Sequence, residues 1–179
     1  MSIRKISIIV GVLFVVQMVA AMAGNTMSLA FTAGEADKAT LAVGVALMIC
    51  SGLSVVAIGF LAYQVLKTFN KKLAAWYPAM RVVEFSVSAV CSLYLLTQLQ
   101  AVPNHMLLVY VPTVIGGLVF TYLLLVSRAV PQWIAVLGLV GYGLLGTGTF
   151  LDFAGAVDLN ASLGMALLAP GLLFELVVL

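Results

Sequence analysis

Thr40–Leu66, TLAVGVALMICSGLSVVAIGFLAYQVL, contains no Asp, Glu, Lys, Arg or His. About 20 apolar residues suffice for a helix to cross the hydrocarbon core of a bilayer. This run is longer, so it reads as a spanning helix with room to tilt. Similar runs fall at about 6–23, 73–97, 106–126, 132–151 and 162–179. They are continuous rather than alternating in ten-residue blocks, which selects helices over barrel strands.

The whole chain agrees with that reading. It has 179 residues, 64% of them hydrophobic and 8% charged, with a mean hydropathy of +1.24. Soluble domains carry roughly 45–50% apolar and about 25% charged residues. Soluble enzymes, secreted disulfide scaffolds, disordered linkers and nucleic-acid readers are excluded on these grounds. Six spans use about 120 residues, and the roughly 60 left are too few for a separate water-soluble domain. Residues 1–179 therefore form a single integral-membrane domain.

The charged residues set the orientation. With the N-terminus in the cytoplasm, Arg4, Lys5, Lys67, Lys71, Lys72 and Arg128 fall inside, against Lys38 alone outside. Glu35 and Asp37 flank Lys38, and Asp152 and Asp158 lie in or near the last outer loop. The positive-inside rule then places both termini in the cytoplasm. The expected fold is an all-α polytopic transmembrane bundle of six helices. Short connections at 67–72 and 127–131 make helices two and three, and four and five, antiparallel hairpins. The outer loop Gly24–Ala39 is the longest, with room for a short surface helix.

The first run has one competing reading. Arg4 and Lys5 precede it, and Ala21-Met22-Ala23 before Gly24 fits a signal-peptidase site. The run exceeds the usual signal core of about 7–15 residues, so an uncleaved helix is expected. Pro112 and Pro170 interrupt the fourth and sixth runs, which is tolerable where neighbours satisfy the freed carbonyl.

The third run carries the chemistry. Tyr77, Arg81, Glu84, Ser88 and Cys91 recur at spacings of four, three, four and three, forming one helical face with Ser92 beside it. Arg81 lies roughly 10 Å and Glu84 roughly 15 Å above the cytoplasmic end. Charged residues at such depth face the bundle interior, a cavity or each other. Glu175 is the other deep acid, roughly 6 Å from the cytoplasmic end of the sixth helix. Its level lets it meet Arg81 if helices three and six adjoin. It shares a face with Gly164, Leu168 and Gly171, whose glycines admit a close neighbour.

An intramembrane cluster of Arg81, Glu84 and Glu175 is therefore expected. Two readings stand side by side. In one, Arg81 and Glu84 are an i,i+3 ion pair that sets packing. In the other the cluster, with Tyr77 and Ser88 adding hydrogen bonds, binds or passes a small solute or proton.

Other residues have simpler assignments. Gly138, Gly141, Gly143, Gly146 and Gly148 give the fifth helix a small-residue face for close helix contact. Cys50 and Cys91 read as buried free thiols. Trp76, Tyr77 and Trp133 read as inner interfacial anchors, and Tyr110 as an outer one. The lone histidine, His105, falls in an outer loop and cannot by itself make a zinc or bis-histidine haem site. No GxxxxGK[ST] or HExxH occurs, no histidine lies at depth to activate a serine, and paired intramembrane aspartates are missing. No catalytic residue, cofactor or metal is assigned, and an enzyme is the disfavoured class.

Several motifs resemble an uncharacterised family of bacterial multi-pass membrane proteins, the domain of unknown function numbered four-three-eight-six. They are Asn70-Lys71-Lys72-Leu73-Ala74, Arg81-Val82-Val83-Glu84, Ser127-Arg128-Ala129-Val130-Pro131-Gln132-Trp133 leading to Leu137-Gly138, and Pro170-Gly171-Leu172-Leu173-Phe174-Glu175. Together they cover about 110 residues. The resemblance implies a six-helix bacterial inner-membrane protein and places Arg81, Glu84 and Glu175 in family-like motifs. It implies no activity. Similar chains continue past the last motif to a basic end, so the stop at Val177-Val178-Leu179 suggests a shortened C-terminus.

The expected function is a multi-pass protein of the cell membrane with an intramembrane polar site for a small solute or proton. The alternative is a structural or regulatory subunit whose Gly-rich helix faces bind another membrane protein or a second copy. The lipid bilayer is the expected surrounding, and nucleic acid is not a partner.

Overall fold

The structure, a computed structural model, describes residues 3–157, 159 and 162–177. Six α-helices account for nearly all of it: α1 Ile3–Thr32, α2 Lys38–Leu66, α3 Lys71–Gln98, α4 His105–Ser127, α5 Gln132–Phe153 and α6 Ser162–Val177. No strand occurs among the described residues. Five helices, α1 to α5, are long and apolar enough to cross a membrane, and α6 has 16 residues. Asp158, Val178 and Leu179 lie outside the described residues.

Local chemistry explains where the helices begin and end. Asp37 caps α2 by accepting from the Thr40 backbone N–H at 2.8 Å and its hydroxyl at 2.6 Å. Asn70 caps α3 by accepting from the Leu73 N–H at 3.0 Å. Leu99, in left-handed conformation, ends α3, and its N–H returns to the Leu95 carbonyl.

The first helix departs from expectation. It continues beyond Ala23 to Thr32 and absorbs much of the expected outer loop. Ala21-Met22-Ala23 thus lies inside α1, beside a buried Gly24 packed against Gly44 and Met48 of α2. Gly24 is held within the helix by its close packing on α2, the Ser28 hydroxyl bonds back to the Gly24 carbonyl, and the chain leaves the helix just before Gly34, which has φ +80°.

Each helix packs chiefly on its neighbours in the chain, giving the series α1–α2–α3–α4–α5–α6. This up-and-down path gathers Lys67, Lys71, Lys72 and Arg128 at one end and Asp37, His105 and Asp152 at the other. We call the first the lysine end.

The core divides by height. Towards the lysine end, aromatic rings from α3, α4, α5 and α6 lock together. Tyr77 stacks on Phe120 with centroids 4.5 Å apart, and Phe174 meets Phe120 and Tyr142 edge-on at 6.3 and 6.0 Å. At the opposite end Leu41, Val45 and Leu95 form a smaller cluster. Open space lies between.

Glycines permit the tight packing of α5. A Cβ on Gly117 of α4 would strike the Tyr142 ring. A Cβ on Gly141 would come within 2.7 Å of the Gly171 backbone, so α5 and α6 touch main chain to main chain. Most glycines of the α5 face are therefore filled from within the chain, while Gly143 faces open space. The packing of Gly164 and Leu168 lies outside what the structure describes.

Candidate functional site

Arg81 and Glu84 lie one turn apart on α3, which brings their side chains onto one face. The Arg81 Nη1 donates to Glu84 Oε2 at 2.6 Å, an ion pair with side-chain exposures of 5% and 14%. The Arg81 guanidinium also lies 5.0 Å from the Tyr77 ring centroid. Across the bundle its Nη2 reaches the Tyr142 hydroxyl at 3.5 Å.

Glu175 joins this cluster by a different route from the one expected. No Arg81–Glu175 ion pair forms among the described residues. The packing order explains why: α5 follows α4, and α3 and α6 share no packed stretch. Tyr142 of α5 fills the gap, donating its hydroxyl to Glu175 Oε1 at 3.3 Å. On the other side Gln17 of α1 donates to Glu175 Oε2 at 3.3 Å. Ser51 of α2 in turn donates to the Gln17 carbonyl at 3.0 Å. The cluster thus spans α1, α2, α3, α5 and α6.

Among the described residues, two groups in it have no hydrogen-bond partner. The Tyr77 hydroxyl and Arg81 Nε are both buried and unpaired. Unmet polar atoms are expensive in an apolar interior, and both belong to residues lining open space.

That space consists of two adjoining cavities. The first, about 260 Å³, runs from Thr32, Ala101 and His105 near one end down past Ser92, Cys91 and Ser88 to Glu84. The second, about 270 Å³, takes in Glu84, Arg81, Tyr77 and Glu175. Gln17, Ala21, Val55, Glu84, Tyr110 and Thr113 line both. The face read from spacing on α3 therefore does line the interior, Tyr77 to Glu84 below and Glu84 to Cys91 above.

Several single-residue expectations change. Tyr77 is fully buried and is not an interfacial anchor, because it stacks on Phe120 instead. Trp76 and Trp133, at 54% and 61% exposure, do face outward. Tyr110 lines both cavities rather than anchoring an interface. His105 is the first residue of α4, not a loop residue, and stands at the cavity rim. Cys91 is buried, whereas Cys50 is exposed on the outer surface of the bundle.

Gln17 and Tyr142 were not among the residues singled out by sequence. A lone amide in an apolar run and a tyrosine amid glycines were the available signals. Among the described residues, no three His, Cys, Asp or Glu side chains come together as a metal site.

A bundle of apolar helices around a partly polar interior defines a multi-pass membrane protein. Residues 92–179 match the family model described as a domain of unknown function (DUF4386). The match takes in the Ser127–Trp133 and Pro170–Glu175 motifs, while Asn70–Ala74 and Arg81–Glu84 precede it. No curated protein and no solved structure matches the chain.

Proposed function

We propose that this is a multi-pass protein of the cell membrane, in a bacterial inner membrane with both termini cytoplasmic, whose bundle holds a small solute or proton. The binding residues are Arg81, Glu84 and Glu175, with Tyr77 and Ser88 beside them. The observation that carries this reading is the pair of adjoining cavities meeting at Glu84. A purely structural ion pair has no need of open space on both sides. The charges support it too: Arg81 is matched by Glu84, and among the described residues Glu175 receives hydrogen bonds from the neutral Gln17 and Tyr142. Two carboxylates against one guanidinium leave room for one proton or one cationic solute. The partner-subunit alternative draws less support, because Gly117, Gly138, Gly141 and Gly148 are covered within the chain.

The native Cys91 offers a test. In a Cys50→Ser background, a water-soluble thiol reagent is added to the protein in sealed vesicles from each side in turn. Labelling of Cys91, and of a cysteine introduced by Ser88→Cys, is expected from the His105 side. If neither thiol reacts until the protein is denatured, the interior is dry and the proposal fails. A Glu84→Gln variant that assembles normally yet loses solute or proton binding would separate binding from packing.

A further inference from the structure

The first and last helices meet differently from every other adjacent pair around the bundle. α1 packs on α2 and α6 packs on α5, but among the described residues α1 and α6 share no packed stretch. A polar contact joins them, the hydrogen bond from Gln17 to Glu175 at 3.3 Å. Behind it lies the second cavity, whose wall includes Met22 of α1 and Leu172 of α6. These side chains are also 70% and 50% exposed. Met22 and Leu172 thus form part of the wall beside the charged cluster.

We propose that the α1–α6 seam is a lateral portal through which an amphiphilic amine leaves the bilayer and places its ammonium head at Glu175. This rests on the proposed intramembrane site and names its ligand class. Charge complementarity selects the head: Glu84 is ion-paired with Arg81, whereas among the described residues Glu175 forms no ion pair and is linked to Arg81 only through the Tyr142 hydroxyl. The buried Tyr77 hydroxyl, unpaired in the same cavity, supplies an oxygen that can accept an ammonium N–H. The Arg81 Nε, also unpaired, is left for a water or a ligand oxygen. The walls select the tail, because Phe14, Met18, Met22, Ile58 and Leu172 surround the polar floor with apolar surface. An apolar tail running out between α1 and α6 stays in lipid, so only the head must be desolvated and re-paired.

The test uses the full chain in phosphatidylcholine nanodiscs and radiolabelled octylamine, with empty nanodiscs subtracting lipid partitioning. Saturable binding of one octylammonium per chain is expected, with none for octanol. Glu175→Gln should weaken it about tenfold or more. Leu172→Trp, at a half-exposed position on the cavity wall, should slow octylammonium association severalfold while leaving Cys91 labelling from water unchanged. Equal binding by octanol, unaltered affinity in Glu175→Gln, or unaltered association in Leu172→Trp each overturns the proposal. Methylammonium binding as tightly as octylammonium removes the portal and the apolar tail but leaves the polar site standing. No binding of either amine, together with a Cys91 shielded from water, removes both.

Discussion

Replacing Arg81 by Met isolates what the buried ion pair contributes. The pair is 2.6 Å long, with Arg81 and Glu84 side chains 5% and 14% exposed. Unit charges about 4 Å apart in a medium of effective dielectric about 20 attract by about 4 kcal/mol. Removing one partner of a buried pair costs about 3–5 kcal/mol, because the other charge stays behind uncompensated. Glu84 lines both cavities, where water can partly solvate it, which puts Arg81→Met at the lower end, about 3 kcal/mol. The double variant Arg81→Met/Glu84→Leu removes both charges and should lie within about 1 kcal/mol of the parent protein. The assay is reversible unfolding by dodecyl sulfate in mixed micelles, read by Trp76 and Trp133 fluorescence and by helical circular dichroism. A loss below about 1 kcal/mol in the single variant, or a double variant no more stable than the single, would refute the reasoning.

Gly117→Ala drives a methyl group into the Tyr142 ring and should destabilise by about 1–3 kcal/mol in the same assay. Adding Tyr142→Leu should recover much of that loss. Tyr142→Phe removes a hydroxyl held by long contacts of 3.5 and 3.3 Å, so its stability cost should stay near 0.5–1.5 kcal/mol. At the other end of the bundle, the hydrogen bond from the Thr40 hydroxyl, reinforced by the Thr40 backbone N–H, holds the Asp37 carboxyl below its ordinary value of 3.8. A lowered folded-state value means this cap's contribution is fully present above pH 3.8 and disappears as pH falls through the lowered value. Carbon-13 NMR of the Asp37 carboxyl should show its midpoint below 3.8 and a return towards it in Thr40→Val; a midpoint at or above 3.8 in the parent protein contradicts the cap.

The helices and the Arg81–Glu84 pair were legible in the sequence for the same reason. Both depend on local rules, run length against bilayer thickness for the spans and a one-turn offset for the pair. Neither needs knowledge of which helices touch. The Glu175 contact does need it, and there the expectation of a direct bond to Arg81 gave way to the Tyr142 bridge. In a bilayer the outward face of a helix is as apolar as the inward one, so periodicity marks the interior weakly. That is why Gln17 went unremarked, Tyr77 was read as an anchor, and Cys50 was read as buried. The face on α3 escaped this limit because its charged and hydroxylated residues mark the interior directly.

The chain-order packing of the helices has a consequence for biogenesis. Every well-packed pair is also consecutive in sequence, so each helix leaving the insertion machinery finds its neighbour already in the membrane. Little loop entropy is lost at any step, and no late strand or helix must thread between earlier ones. Two hydrogen bonds are exceptions: Arg81 to Tyr142, joining α3 to α5, and Gln17 to Glu175, joining positions 158 residues apart. The Gln17–Glu175 bond cannot form until α6 is synthesised, which makes it a natural marker of α6 docking against α1.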